Sequence, residues 1–256
     1  MASPTPVFTG IGVALVTLFD DHQQVDHDAT GKLAGQLCEL GADALVVAGT
    51  TGEADALDDD ERLRLFETVR AAVPGVVVVG GTGASSARQA ARLSAAARET
   101  GVDAVIARTP RGLADPTGYY RAVADAAGDL PLLAYHFPAV APPGIPLETL
   151  PALPVAGCKD SSGDPTRLLA TLEQYPGPLY TGSSALMLLA GLLGCAGAIL
   201  ALANAAPELC SAAFGGDADA QRRLAADHVA SERDFPRGVK HLVAARFGTS
   251  EVVRMG

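Results

Sequence analysis

The chain has 256 residues, 48% of them hydrophobic, with no tryptophan and 5% aromatics, so a large core is available but must be packed mainly with Ala, Val and Leu. A formal net charge of −10 argues against a nucleic-acid or anionic-membrane surface, which needs a basic patch, although arginines and backbone amides can still hold a small anion locally. The four cysteines, Cys38, Cys158, Cys195 and Cys210, are scattered and form no CxxC pair, which weighs against structural zinc and a disulfide framework.

The first six residues lack the basic start and long apolar core of a signal peptide, and a soluble cytoplasmic protein is the expectation. From there apolar runs and amphipathic patterns alternate. Strands are predicted over 13–19, 44–48, 76–79, 102–107, 131–135, 155–158, 179–181 and 197–201. Helices are predicted between them over 28–40, 58–72, 85–100, 116–127, 147–153 (a short helical return), 165–174 and 185–193. The apolar run 185–206 has the length of a membrane span, but Gly191, Gly194, Gly197 and Asn204 break it into helix, turn and strand. Residues 206–246 read as two or three further helices.

Strands apolar on both faces belong to parallel sheets covered by helices. Eight such units predict a (β/α)₈ TIM barrel over residues 1–204 and a short C-terminal helical extension over 205–256. Periodicity alone also fits an open, doubly wound sheet. Gly80-Gly81-Thr82-Gly83 lacks the dinucleotide spacing and a Walker lysine, and reads as a strand-to-helix turn.

In a barrel, chemistry gathers where strands end. Only three lysines occur, Lys32, Lys159 and Lys240; Lys32 opens a surface helix, Lys240 sits in a charged C-terminal helix, and Lys159 follows a predicted strand. Burial of an amine favours its neutral form, which attacks carbonyls, so Lys159 is a Schiff-base candidate. Tyr135 ends another strand and can pass protons. Thr50 and Thr51 lie between Gly49 and Gly52, where backbone amides can approach a carboxylate. Together these residues describe chemistry on an α-keto acid by imine formation rather than by metal. Each also has a structural reading: Tyr135 as a strand-end aromatic, the threonines as helix caps, Glu53 as a brace for its loop, and Cys158 as a small buried residue.

Gly49-Thr50-Thr51-Gly52-Glu53, Tyr135-His136-Phe137-Pro138, Gly157-Cys158-Lys159-Asp160, Gly182-Ser183-Ser184 and the segment from Ile199 to Pro207 form an ordered set. That set resembles the dihydrodipicolinate synthase and N-acetylneuraminate lyase superfamily from about Gly10 to Gly248. The resemblance implies a class I aldolase or lyase in which Lys159 forms an imine with pyruvate or a pyruvate-derived keto acid and Tyr135 relays protons. It also implies that Thr50 and Thr51 hold the substrate carboxylate, that Ile199 lines the pocket, that Gly182 leaves room beside the imine, and that no metal or organic cofactor is needed. A homo-oligomer, dimer or tetramer, is expected.

The departures narrow the substrate. No arginine occurs in Ala139-Val140-Ala141-Pro142, where lysine-pathway synthases carry one for their second substrate. Cleavage of a 2-keto-3-deoxy sugar acid or 4-hydroxy-2-oxo acid is therefore the first expectation. Synthase-like or dehydratase chemistry on the same imine, or a degenerate keto-acid-binding homologue, are the alternatives. The degenerate reading is motivated by Arg111-Gly112, which replaces an aromatic pair of the family; Arg111 is the candidate contact for a second acidic group.

Overall fold

The computed structural model describes residues 5–255, so residues 1–4 of the N-terminal segment considered above lie outside it. Eight strands, β1 (Gly10–Ala14), β2 (Ala44–Val47), β3 (Val77–Gly81), β4 (Ala104–Arg108), β5 (Leu132–His136), β6 (Gly157–Asp160), β7 (Leu179–Thr181) and β8 (Gly197–Leu200), pair in sequence order. All neighbours are parallel, and β1 pairs with β8, closing the sheet. Closure excludes the open doubly wound sheet. The connecting helices are α1 (His27–Glu39), α2 (Asp59–Ala72), α3 (Ala87–Ala97), α4 (Thr117–Ala127), α5 (Pro165–Gln174), α6 (Met187–Leu192) and α7 (Pro207–Phe214). Between β5 and β6 the return is only a 3₁₀ turn, Leu150–Ala152.

Local chemistry accounts for the helix starts. Asp26 caps α1 by accepting from Ala29 N, and Asp58 with Glu61 forms a reciprocal capping box on α2. Asp164 caps α5, with Pro165 supplying a first-turn residue that needs no donor. Among the described residues no helix is long and apolar enough to cross a membrane, and the 185–206 run divides into α6, β8 and two 3₁₀ turns.

The core has two layers. Side chains of one strand parity, including Val46, Val79, Ile106, Leu133, Tyr135, Tyr180 and Ile199, fill the barrel interior. The other parity packs outward against the helices, with Leu45, Val78, Val105 and Leu200 meeting Leu33, Leu65, Phe66 and Val123.

The first strand differs from expectation: it ends at Ala14, and residues 15–19 run on as buried loop. Leu15 N still donates to Val46 O of β2 at 3.0 Å, and beyond it side chains take over from the ladder: Asn204 Oδ1 accepts from Val16 N at 3.0 Å and Thr30 Oγ1 accepts from Leu18 N at 3.1 Å. An apolar run alone does not separate a strand from a loop whose backbone is paired in this way.

After α7, which packs on β1 and α6, come α8 (Ala218–Arg223), α9 (Ala225–Glu232) and α10 (Arg237–Phe247), so four helices follow β8 where the sequence predicts two or three. The tail then returns to the barrel mouth. Lys240, read above as one charge on a charged helix, has a fully buried side chain, with Nζ 2.7 Å from Glu53 Oε1. Its ammonium also donates to Val252 O at 2.6 Å, and burial pulls its pKa below the ordinary lysine value against the pull of Glu53. Glu53 Oε2 accepts from the backbone of Arg254 and Met255, each at 2.7 Å, while the Arg254 guanidinium grips both oxygens of Glu61. Removing one partner of a buried ion pair leaves the other uncompensated. Lys240→Met should therefore destabilise the fold by about 3–5 kcal/mol. In a thermal melt this corresponds to a fall in midpoint on the order of 10 °C, and an unchanged midpoint would mean that the pair contributes nothing net.

Candidate active site

The strands deliver three side chains in one row. Parallel register pairs Arg108 of β4 with Tyr135 of β5, and Tyr135 with Lys159 of β6. Paired residues of adjacent parallel strands share a face, so all three take the inward parity that Ile106 and Leu133 set deeper in the barrel. Lys159 lies within its strand, not beyond it, and is 5% exposed. Its Nζ stands 4.2 Å from the centroid of the Tyr135 ring. Among the described residues no carboxylate forms an ion pair with it. The neighbouring Asp160 is engaged elsewhere: it accepts from Ser162 N at 2.8 Å and lies 3.9 Å from Arg167 Nε.

A cleft of about 680 Å³ opens above this row, between the C-terminal ends of the strands. Lys159, Tyr135, Thr50, Arg111 and Arg108 all line it, with Val140, Ala141 and Met255. Thr51 is buried and off the cleft wall. Ile199 is fully buried in the barrel interior with Tyr135 and Ala14. Gly182 is half-buried beside the lysine: a Cβ there would overlap Ser161 Oγ and lie 3.1 Å from Lys159 Cε. Only glycine leaves the Lys159 side chain its present path. A groove of about 670 Å³ between α2 and α3, lined by Asp58, Asp59, Asp60 and Arg92, lies outside the barrel mouth and holds none of these groups.

The loop carrying Thr50 is held at both ends. Ala48 and Glu53, at φ of 51° and 57°, are both left-handed without being glycine, a conformation that persists only when the surroundings impose it. The buried Lys240 pair and the tail amides impose it at Glu53. Thr17 Oγ1 donates to Gly52 O at 2.7 Å, holding the loop from the β1 side.

Two tyrosines of α4 secure the opposite wall. Tyr120 OH donates to Ala107 O at 2.9 Å and accepts from Tyr135 N at 3.2 Å, so it fixes the backbone of both β4 and β5. Tyr119 OH donates to Arg108 O at 3.2 Å and accepts from Ala84 N at 3.2 Å. Burial pushes the Tyr119 phenol up to about 12 and that of Tyr120 well above the ordinary range. Both hydroxyls are thus structural and stay protonated. Cys158 is likewise inert, because full burial raises its thiol far above the usual range. His136 is 5% exposed; its Nδ1 accepts from Ile145 N at 2.8 Å, and burial lowers its pKa.

Arg108 is the residue sequence reasoning passed over. The predicted fourth strand stops at residue 107, which leaves the direction of Arg108 undefined. Its Nη1 donates to Thr50 Oγ1 at 2.9 Å and its Nη2 to Asp55 at 2.7 Å. Strand parity was the signal: Ala104, Ile106 and Arg108 alternate inward. Arg111, by contrast, stands on the loop beyond and donates to Val140 O at 2.8 Å.

Residues 7–231 match the profile of the Dihydrodipicolinate synthetase family. The 4-hydroxy-tetrahydrodipicolinate synthase of Natronomonas pharaonis is 35% identical over 232 residues, spanning 85% of this chain and 79% of that protein. An uncharacterized DapA-like lyase of Halobacterium salinarum is 37% identical over 211 residues, spanning 78% of this chain and 69% of its own length. Among solved structures, YagE, a prophage protein of the dihydrodipicolinic acid synthase family from E. coli K12 in complex with pyruvate, superposes with a TM-score of 0.89 at 25% identity, over 96% of this chain and 91% of that one. A closed parallel barrel and a family profile that covers most of the chain lead to one assignment: this protein belongs to the dihydrodipicolinate synthetase family of class I aldolases and lyases.

Proposed function

We propose that the protein is a Schiff-base aldolase that cleaves a 4-hydroxy-2-oxo acid, such as a 2-keto-3-deoxy sugar acid, to pyruvate and an aldehyde. The observation that carries this reading is the Lys159 amine, free of any carboxylate partner among the described residues and 4.2 Å from the Tyr135 ring at the floor of a cleft of about 680 Å³.

In this reading the Lys159 amine adds to the C2 carbonyl, and the carbinolamine loses water to give a cationic imine. The C3–C4 bond then breaks. Its electron pair flows to the imine nitrogen, giving an enamine, while the C4 hydroxyl loses its proton and becomes the aldehyde. Tyr135 is the proton carrier for the carbinolamine and for the C4 oxygen. Protonation of the enamine at C3 and hydrolysis of the imine release pyruvate and the free amine. Thr50, together with the amides of its glycine-flanked loop and with Thr51 behind it, receives the C1 carboxylate. Gly182 leaves the lysine unobstructed, and Ile199 packs the barrel interior below.

Synthesis or dehydration would use the same imine. The resemblance places an arginine after Tyr135 in the lysine-pathway synthases, whereas here Val140 and Ala141 bring apolar surface to that wall of the cleft. Cleavage is therefore the favoured direction of the proposal over the synthase reaction.

Lys159→Ala should reduce pyruvate release from 4-hydroxy-2-oxo acids to background while the circular dichroism spectrum stays that of the wild type. A variant with the wild-type rate would end the imine mechanism. Tyr135→Phe should lower kcat by about 10²–10⁴-fold while a pyruvate adduct on Lys159 still forms. An unchanged kcat would assign the proton transfer to another group.

A further inference from the structure

The charge in the cleft opposes the charge of the chain. Its wall carries three guanidinium groups, Arg62, Arg108 and Arg111, and the Lys159 amine, against one carboxylate among the described residues, Asp55, in a protein of net charge −10. A keto acid with a single carboxylate, bound as a cationic imine on Lys159, would leave two of those four positive groups unanswered. Arg62 deepens the imbalance. It is 4% exposed, and among the described residues its guanidinium meets only the carbonyls of Gly83 and Ala54 and its buried Nε has no hydrogen-bond partner. Thr109, between the other two arginines, is 1% exposed, lines the same wall, and has a buried hydroxyl that is also unpartnered among the described residues.

Arg108 is placed to answer the imbalance. It shares the register row of Tyr135 and Lys159, two strands from the lysine, which puts its Cα about 10 Å from that of Lys159 at ordinary strand spacing. Asp55 and Thr50 take one N–H from each of its terminal nitrogens and fix the plane of the fork, leaving three of the five guanidinium donors. A guanidinium oriented in this way suits a planar carboxylate.

We infer that Arg108, with Arg111 beside it, forms a subsite for a second carboxylate at the far end of the substrate, so that the enzyme selects dicarboxylic 2-oxo acids. This rests on the imine chemistry proposed above and specifies its substrate class. The aldehyde released would then itself carry a carboxylate.

The test compares 2-oxoadipate with 2-oxohexanoate, which share a six-carbon chain and differ in the terminal carboxylate. Adduct formation on Lys159 under borohydride is followed by mass spectrometry over a concentration series, with pyruvate as the reference. In the wild type the half-saturating concentration of 2-oxoadipate should be about 10- to 100-fold below that of 2-oxohexanoate. In Arg108→Gln the two should converge, with pyruvate trapping measured in parallel as a check that the lysine still reacts. Equal half-saturation of the two acids in the wild type would overturn the subsite. A preference fully retained in Arg108→Gln would overturn the assignment to Arg108. Failure of pyruvate to form an adduct with the wild type would instead strike the imine reading itself.

Discussion

Parallel register across β4, β5 and β6 is the constraint on which the candidate site depends. A barrel closed by eight parallel strands leaves each strand one inward parity, and neighbours in register must share it. The amine of Lys159 and the ring of Tyr135 therefore meet without help from any loop. A slip of one residue in β6 would turn Cys158 inward and send Lys159 among the helices. Such a slip would bury a charge in the outer hydrophobic layer, so the same register that builds the site is also the one the core demands.

The remaining parts hang on that row through polar ties. Tyr120 binds the backbone of β4 and β5 together just outside the site, and Tyr119 holds the carbonyl of Arg108. Arg108 in turn orients Thr50. From the other side, the Glu53–Lys240 pair and the amides of Arg254 and Met255 hold the loop in its left-handed bend. The C-terminal helices thus act on the site at a distance from the barrel core. Their link to it is a buried charge pair, whose loss costs more than its presence contributes.

The barrel itself was legible because a parallel sheet covered on both faces writes its strands as unbroken apolar runs separated by helical periods. The scarcity of lysine made Lys159 conspicuous even though its strand was placed two residues early. Where the reading slipped, the cause was a boundary or a long-range pairing. Residues 15–19 are as apolar as any strand, but Asn204 and Thr30 rather than a neighbouring strand accept from Val16 and Leu18. Ending β4 at residue 107 hid the inward direction of Arg108 and turned attention to Arg111 on the loop. Lys240 looked like an ordinary helix charge because its partner, Glu53, lies almost the whole barrel away in sequence. Nothing in the sequence of Arg254 and Met255 announces that their amides close on a carboxylate of the second loop.

The central claim is that the Lys159 amine is a nucleophile, and intact mass after incubation with pyruvate and borohydride tests it most directly. The account predicts one reduced pyruvate adduct per chain, mapped to the peptide carrying Lys159 and absent from Lys159→Ala. An unmodified protein, or an adduct on Lys32 or Lys240 instead, would contradict it.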